Sequence, residues 1–360
     1  MPLRAKSARG GRPWWRRPSH ELALGVPLIV AVANDMTPLR ALILLLSFLM
    51  TTSAAAQVES FAATLDALWD FDKPAVSEEC FRTEVKKWPT GSAEAQEART
   101  QIARTLALQR KFADAHALLD DIERTLALLP VHVRVRYLLE RGRTLNSSGS
   151  PQRAVPLFAQ ALELSEAARD EFYAVDAAHM LGIAAPPAER LGWNLKALSL
   201  AEAATDARAR GWRASLYNNI GWTYFDDGKT ATALDYWEKA LAARQAMGNA
   251  RTTRIAKWTV ARGYRAMGRL DDAEAAQKSL AVELAQAGEA DGFVYEELAE
   301  IALARGDAKS AQPWAAKAHT ALKDDPSLAA KEAPRLARLA AIAAGQPAAP
   351  VRRPAAPVKP

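Results

Sequence analysis

The chain has 360 residues, about half of them apolar, and a formal net charge of +6. Residues 1–56 hold seven basic and two acidic residues and the tail from residue 346 holds three basic ones, so residues 57–345 are slightly acidic. This distribution argues against nucleic acid as a partner. The single cysteine, Cys80, excludes an internal disulfide and a thiolate metal cluster.

An apolar segment near the N-terminus has the layout of a secretory signal peptide. Residues 36–56 begin with Met36, carry Arg40 before an apolar run and end in three alanines, which predicts cleavage after Ala56. The run is too short to span a bilayer comfortably. We interpret residues 1–35 as an upstream mis-start or an extended leader. The mature protein is expected to be periplasmic or secreted; the alternative is an uncleaved N-terminal segment that anchors it to the inner membrane.

Helical patterns fill the rest of the chain, because Ala, Leu, Glu and Arg greatly outnumber Val, Ile and Thr. Residues 57–92 contain two such patterns, broken at Lys73-Pro74 and ended at Trp88-Pro89. We expect them to cap a larger array. Residues 329–345 form a second predicted cap, and the Pro/Ala-rich residues 346–360 predict a disordered tail.

A spacing of small and apolar residues recurs between these caps. Its best copy contains Gly221 in a first helix, Gly228 at a turn, then Ala233, Trp237 and Ala240 in a second helix. Weaker copies raise the number of units to six within residues 93–328. Four turn glycines are separated by 79 (two units), 40 and 38 residues, which gives a period near 40; they are Gly149, Gly228, Gly268 and Gly306. Residues 184–192, AAPPAERLG, are expected to replace the turn of the third unit.

This pattern resembles the tetratricopeptide repeat, W-x2-L-G-x2-Y followed by A-x3-F and a proline that is missing here. The resemblance implies an all-α fold, a right-handed α-solenoid of stacked helix–turn–helix units. Small residues at a helix crossing allow the two axes to approach to about 8 Å. Gly221 facing Ala233 is therefore expected to bring the helices of one unit together. No single hairpin buries its apolar face, so the units must stack.

Catalytic and metal-binding patterns are missing from the sequence. No two of the five histidines share a helical face at ligand spacing, and there is no HExxH, GxSxG or phosphate-binding glycine loop. We therefore expect no catalytic residues, no metal, no cofactor and no enzymatic activity.

The resemblance also implies a groove lined by the first helix of every unit. Arginines and tryptophans at the groove positions would suit an extended peptide with acidic or aromatic side chains. The alternative is that the arginines pair with neighbouring acids such as Glu140 and Asp176. The candidate partner-binding residues are Arg104, Arg143, His179, Asn218, Trp222, Trp258, Arg262 and Glu300.

The sequence thus predicts a non-catalytic scaffold that binds a partner protein or peptide in its groove outside the cytoplasm. It gives no sign of a nucleic-acid partner or a small-molecule substrate. The alternative is a structural array that self-associates through its end caps or its convex face.

Overall fold

The computed structural model describes residues 61–325, 328 and 332–347. The expected mis-start, the signal peptide and nearly all of the Pro/Ala-rich tail lie outside these residues. The chain divides into two compact bodies, residues 1–67 and residues 68–360. In the first body, residues 61–67 are helical. Within the described ranges no helix is long and apolar enough to cross a membrane.

The second body is built of helices, and its described residues contain no strand. In chain order the helices are α1 (Pro74–Val85), α2 (Ala93–Leu108), α3 (Phe112–Glu123), α4 (Val131–Ser147), α5 (Pro151–Ala168), α6 (Glu171–Ala184), α7 (Pro187–Ala203), α8 (Ala207–Gly211), α9 (Arg213–Asp226), α10 (Thr230–Met247), α11 (Ala250–Ala266), α12 (Leu270–Gln286), α13 (Gly292–Ala304), α14 (Ala308–Leu322) and α15 (Ala333–Ala343).

Six helical hairpins follow one another along this body, and we number them units 1–6: α2–α3, α4–α5, α6–α7, α9–α10, α11–α12 and α13–α14. The two helices of each unit pack together, and the second helix of a unit packs against the first helix of the next. Helix α1 packs on α2, and α15 packs on α14. The predicted all-α solenoid of stacked helix–turn–helix units is confirmed.

Five of the six hairpin turns contain a residue in the left-handed backbone conformation. Gly149, Gly228, Gly268 and Gly306 have φ between 76° and 90°, which is the left-handed region that glycine enters at no steric cost. In unit 4 the N–H after this glycine, that of Lys229, donates to the Tyr224 carbonyl at 2.8 Å, the six-to-one bond of a Schellman motif. The turn of unit 1 has no glycine, and Arg110 takes up the same conformation at φ 63°.

Close helix contact inside the units depends on residues without a β-carbon. A Cβ on Gly221 would overlap the indole of Trp237 and would lie 3.2 Å from the carbonyl oxygen of Ala233. The expected approach to Ala233 is therefore present, but the fully buried indole fills most of the space. In unit 2, Gly142 meets the ring of Phe158 in the same way.

One expectation about unit 3 is wrong. Helix α6 ends at Ala184 and α7 begins at Pro187, so the turn is only Ala185-Pro186 and residues 187–192 are helical. Proline is well tolerated at the first position of a helix, because an N–H at that position would have no intrahelical partner and because the fixed φ of proline matches the helical value. The irregular connections lie elsewhere: a 3₁₀ turn, Leu126–Leu128, between units 1 and 2, and α8 between units 3 and 4.

Candidate partner-binding surface

The candidate residues all lie on the first helices of the six units, and we call this surface the A-helix face. Arg104 is on α2, Arg143 on α4 and His179 on α6. Asn218 and Trp222 are on α9, Trp258 and Arg262 on α11, and Glu300 on α13. The regular stacking of units thus places residues that are far apart in sequence on equivalent helices.

The first half of the face is a chain of ion pairs between successive units, which we call the N-terminal ladder (Arg104, Glu140, Arg143 and Asp176). Arg104 lies 3.5 Å from Glu140, and Arg143 donates to Glu140 at 2.7 Å. Arg143 also donates to both carboxylate oxygens of Asp176, at 2.5 and 2.6 Å. Burial alone would lower the pKa of Arg143, but the charges of Asp176 and Glu140 outweigh it and raise that pKa. For Arg104, burial and the neighbouring charge of Arg143 lower the pKa.

The far end of the face carries a second set of ion pairs, the C-terminal ladder (Arg262, Arg265, Glu296, Glu297, Glu300, Arg335 and Arg338). Glu297 is almost fully buried and accepts from Arg262 at 2.8 Å and from Arg265 at 2.7 Å. Helix α15 contributes Arg335, which pairs with Glu296, and Arg338, which pairs with Glu300. Burial lowers the pKa of Arg262.

The arginines of the face are therefore paired with neighbouring acids, which is the second of the two alternatives that the sequence left open. Breaking a buried pair leaves an uncompensated charge and costs about 3–5 kcal/mol. A peptide carboxylate would have to displace Glu140, Asp176 or Glu297 before it reached these guanidinium groups. The ladders stabilise the stacking of the units and offer an incoming anion little net gain.

Between the ladders the face is uncharged and aromatic. Helix α9 contributes Asn218, Trp222 and Phe225, and α11 adds Trp258. The Arg262 guanidinium lies 5.6 Å from the Trp222 ring, 5.9 Å from Phe225 and 5.4 Å from Trp258. We call Trp222, Phe225 and Trp258 the aromatic cluster.

The aromatic cluster is held rigidly. The indole N–H of Trp258 donates to the carbonyl of Phe293 at 3.1 Å, and Trp222 packs edge-on against Trp237 at 4.9 Å. Trp258 and Asn218 keep part of their surface exposed, while Trp222 is 9% exposed. A fixed aromatic surface loses little conformational entropy when a partner covers it.

His179 is a packing residue in this structure. It is 8% exposed, and its ring centroid lies 4.9 Å from that of Trp212. Burial lowers its pKa to about 4, so the imidazole is neutral at pH 7. No group of three His, Cys, Asp or Glu side chains that could hold a metal ion occurs in the part of the chain that the structure describes.

A contact that the sequence analysis missed covers the start of the N-terminal ladder. In the segment before α1, Trp69 stacks on Phe71 with ring centroids 4.6 Å apart, and the Arg104 guanidinium lies 5.2 Å from each ring. Asp72 pairs with Arg251 on α11. The sequence signal was the alternation of aromatic and acidic residues in LWDFD, which we had assigned to a capping helix.

Comparisons with known proteins agree with this architecture. The family model described as a tetratricopeptide repeat matches residues 213–247, which contain unit 4. No curated protein sequence matches the chain. The apo form of RapI is 9% identical with a TM-score of 0.61, and the alignment covers 80% of this chain and 81% of RapI.

Two further solved structures have the same fold. A Rap protein complexed with Competence and Sporulation Factor is 13% identical, with a TM-score of 0.55 and coverage of 82% of this chain and 83% of that one. A signal-transduction ATPase with a tetratricopeptide repeat sensor, from Pyrococcus horikoshii, is 17% identical, with a TM-score of 0.56 and coverage of 74% and 44%. Identities this low show the fold alone. One unit of the chain matches the tetratricopeptide-repeat model, and it lies within an array of six stacked helical hairpins.

Proposed function

We propose that this protein is a non-catalytic interaction scaffold that binds a partner protein or peptide on its A-helix face. The observation that carries the proposal is the uncharged aromatic cluster between two ladders whose arginines are all paired with acids. Trp and Arg dominate the binding energy of protein interfaces when they lie in rigid, desolvated surroundings. The two tryptophans of the cluster lie in such surroundings, whereas every arginine of the ladders on either side already pairs with an acid.

Two observations support a partner of peptide or protein class. The Rap protein of the same fold was solved in complex with Competence and Sporulation Factor, so an array of this shape can hold a ligand. The described residues contain no group of three His, Cys, Asp or Glu side chains that could hold a metal ion. We infer that the partner contacts Asn218 and the exposed part of Trp258 first, since these reach solvent.

Site-specific photo-crosslinking tests the location of the contact. A benzophenone amino acid at Asn218, on the A-helix face, is compared with one at Lys196, an exposed position on the second helix of unit 3. Exposed to a cell-envelope extract, the Asn218 protein is expected to crosslink a partner that the Lys196 protein does not. Equal crosslinking at both positions contradicts the proposal, and crosslinks only to a second copy of the chain favour the self-associating array.

A matched pair of tryptophan substitutions tests the aromatic cluster. Trp258→Ala is expected to lower partner recovery at least tenfold, which corresponds to the loss of about 1.4 kcal/mol or more at an interface anchor. The control is Trp314→Ala, which removes a half-buried indole on α14 that stacks on Tyr295. Thermal melts of both proteins establish that each remains folded. Equal recovery by the two variants argues against the cluster.

We also propose that the scaffold works outside the cytoplasm, on the basis of the leader in residues 36–56. The mass of the intact protein recovered from the cell envelope tests this proposal. A mature chain that begins at Gln57 supports export with cleavage. A mass that includes residues 36–56, together with recovery in the membrane fraction, supports the anchored alternative.

A further inference from the structure

A cleft lies between units 1 and 2, and none of its lining residues belongs to either ladder or to the aromatic cluster. Its volume is about 670 Å³; α3 and α5 form its walls and α4 its floor. On α4 the lining residues recur every three or four positions from Arg134 to Leu145, and on α5 from Arg153 to Leu164. The volume falls within the range of roughly 300–1,000 Å³ typical of ligand sites. We call it the interrepeat cleft.

The length of α3 explains why the cleft is open. This helix has 12 residues, whereas α5 and α10, the second helices of units 2 and 4, have 18. In unit 1 the second helix ends early and is followed by the 3₁₀ turn Leu126–Leu128. Leu126 of this turn lines the cleft. The shortened helix leaves part of α4 uncovered between the first two units.

The floor of the cleft holds an arginine whose charge is already compensated. The side chain of Arg141 is 11% exposed and pairs with Asp120 and Glu123, which are 63% and 60% exposed. Arg141 also donates to the Tyr137 hydroxyl at 3.2 Å and contacts His116. Burial and the charge of Arg141 lower the pKa of His116, so this histidine is neutral at pH 7.

Two further arginines line the cleft without such compensation. The side chains of Arg134 and Arg153 make no ion pair and no hydrogen bond to any residue in the described ranges. Since α4 and α5 form an antiparallel hairpin, Arg134 lies at the end near Leu164, and Arg153 lies at the end near Leu145. The cleft therefore has an uncompensated cation at each end, and between them it is lined by the apolar Pro156 and Leu157 beside the paired charges of Arg141.

The spacing of the two ends sets the length of the occupant. From Arg134 to Leu145 the floor helix advances eleven residues, which is about 16 Å at 1.5 Å per residue. An extended chain advances about 3.3 Å per residue, so about five residues cover this distance. We propose that the interrepeat cleft binds an extended peptide segment of another protein, about five residues long, with an acidic residue at each end and apolar residues between.

The chemistry of the walls supports this occupant. The half-buried Leu126 and Leu157 would cover the apolar middle of the segment, and Leu164 would cover its end near Arg134. Guanidinium groups bind carboxylates through paired N–H donors, and Arg134 and Arg153 have theirs unused. The exposed acids Asp120 and Glu123 would repel a segment with a third acidic residue at its centre, which restricts the negative charge to the two ends.

Fluorescence anisotropy with a defined peptide tests the proposal. The probe is the segment Glu-Leu-Val-Leu-Glu flanked by Gly-Ser and labelled with fluorescein; its control has Gln in place of both Glu. Wild-type protein is expected to bind the acidic probe and to bind the control at least tenfold more weakly. The double variant Arg134→Gln, Arg153→Gln is expected to lose about tenfold in affinity, since each partly exposed ion pair contributes up to about fivefold.

Two other variants distinguish binding in the interrepeat cleft from nonspecific electrostatic attraction between the protein and the acidic peptide. Arg124→Gln removes an exposed arginine at the end of α3 that does not line the cleft, and it should leave binding unchanged. The double variant Asp120→Asn, Glu123→Gln should tighten binding severalfold, because it removes two exposed negative charges from the wall of the cleft that repel the acidic ligand. An equal loss in the Arg124→Gln protein, or no loss without Arg134 and Arg153, overturns the proposal.

The class of ligand and the separation from the A-helix face are tested in the same assay. Dodecanedioate, an apolar chain with a carboxylate at each end, is added as a competitor. If dodecanedioate displaces the labelled peptide at the same concentrations at which unlabelled peptide does, the cleft is a site for small diacids and the peptide assignment is overturned. The Trp258→Ala protein should bind the probe like wild type, and loss of binding there would place the probe on the A-helix face instead.

Discussion

Substitution of helical glycines by alanine isolates the packing contact on which each unit depends. Gly221 lies in the interior of α9, where an added Cβ would overlap the buried indole of Trp237. Gly192 lies in the interior of α7, where an added Cβ would meet no atom within 4 Å. Alanine gains about 1 kcal/mol over glycine in both helices. At Gly221 this gain is opposed by about 1–3 kcal/mol of overpacking.

The expected results therefore have opposite signs. Gly192→Ala should raise the free energy of unfolding by about 1 kcal/mol, and Gly221→Ala should leave it unchanged or lower it by up to about 2 kcal/mol. Urea unfolding followed by circular dichroism measures both, with the midpoints compared because a solenoid need not unfold in one step. If Gly221→Ala stabilises the protein as much as Gly192→Ala, the contact with Trp237 does not limit the helix crossing.

Three further predictions concern a buried histidine, a buried ion pair and a left-handed turn residue. Between pH 7 and pH 5, the free energy of unfolding in urea should fall by about 2 kcal/mol more for the wild-type protein than for His179→Gln. The pKa of His179 is about 4 in the folded state and near 6.5 in the unfolded state, so its contribution to stability is complete above pH 6.5 and falls toward pH 4. Parallel pH dependences of the two proteins would contradict this prediction. Glu297→Gln should destabilise the protein by about 3 kcal/mol in the same assay, since two arginines lose their carboxylate partner. The control, Arg269→Gln, breaks an exposed pair and should cost less than about 1 kcal/mol. Similar losses in both variants would show that burial does not set the strength of these ion pairs. Arg110→Gly should raise the urea midpoint by the equivalent of about 1 kcal/mol by relieving a left-handed backbone, and a lowered midpoint would show that the contact of Arg110 with the Phe112 ring outweighs that strain.

The sequence identified the repeat because the residues that mark it act locally. The turn glycines have positive φ whatever packs around them, and their spacing marks four of the six hairpins. The break in unit 3 was misplaced because two prolines were interpreted as a loop, although proline also begins helices. The Pro186-Pro187 pair is compatible either with a loop or with the start of a helix, and in the structure Pro187 begins α7.

The candidate site was predicted less completely. The first helices carry the candidate residues as expected, but their partners lie one repeat further along the chain: Arg143 binds Asp176, and Arg262 binds Glu297. These pairs are separated by 33 and 35 residues, which is less than the period near 40 that the turn glycines give, so a search for acids at that period would have missed them. The aromatic segment over Arg104 and the opening beside the shortened α3 carry no periodic signal, so no such search would have found them.

The sequence by itself determined the helices, their turns and the order in which they stack, because helix periodicity, left-handed glycines and small crossing residues act over one hairpin at a time. Only the tertiary structure decided which charges are compensated and which surfaces stay open. Those properties depend on distances between side chains of different units, and a change in the length of one helix or turn alters them without changing the repeat.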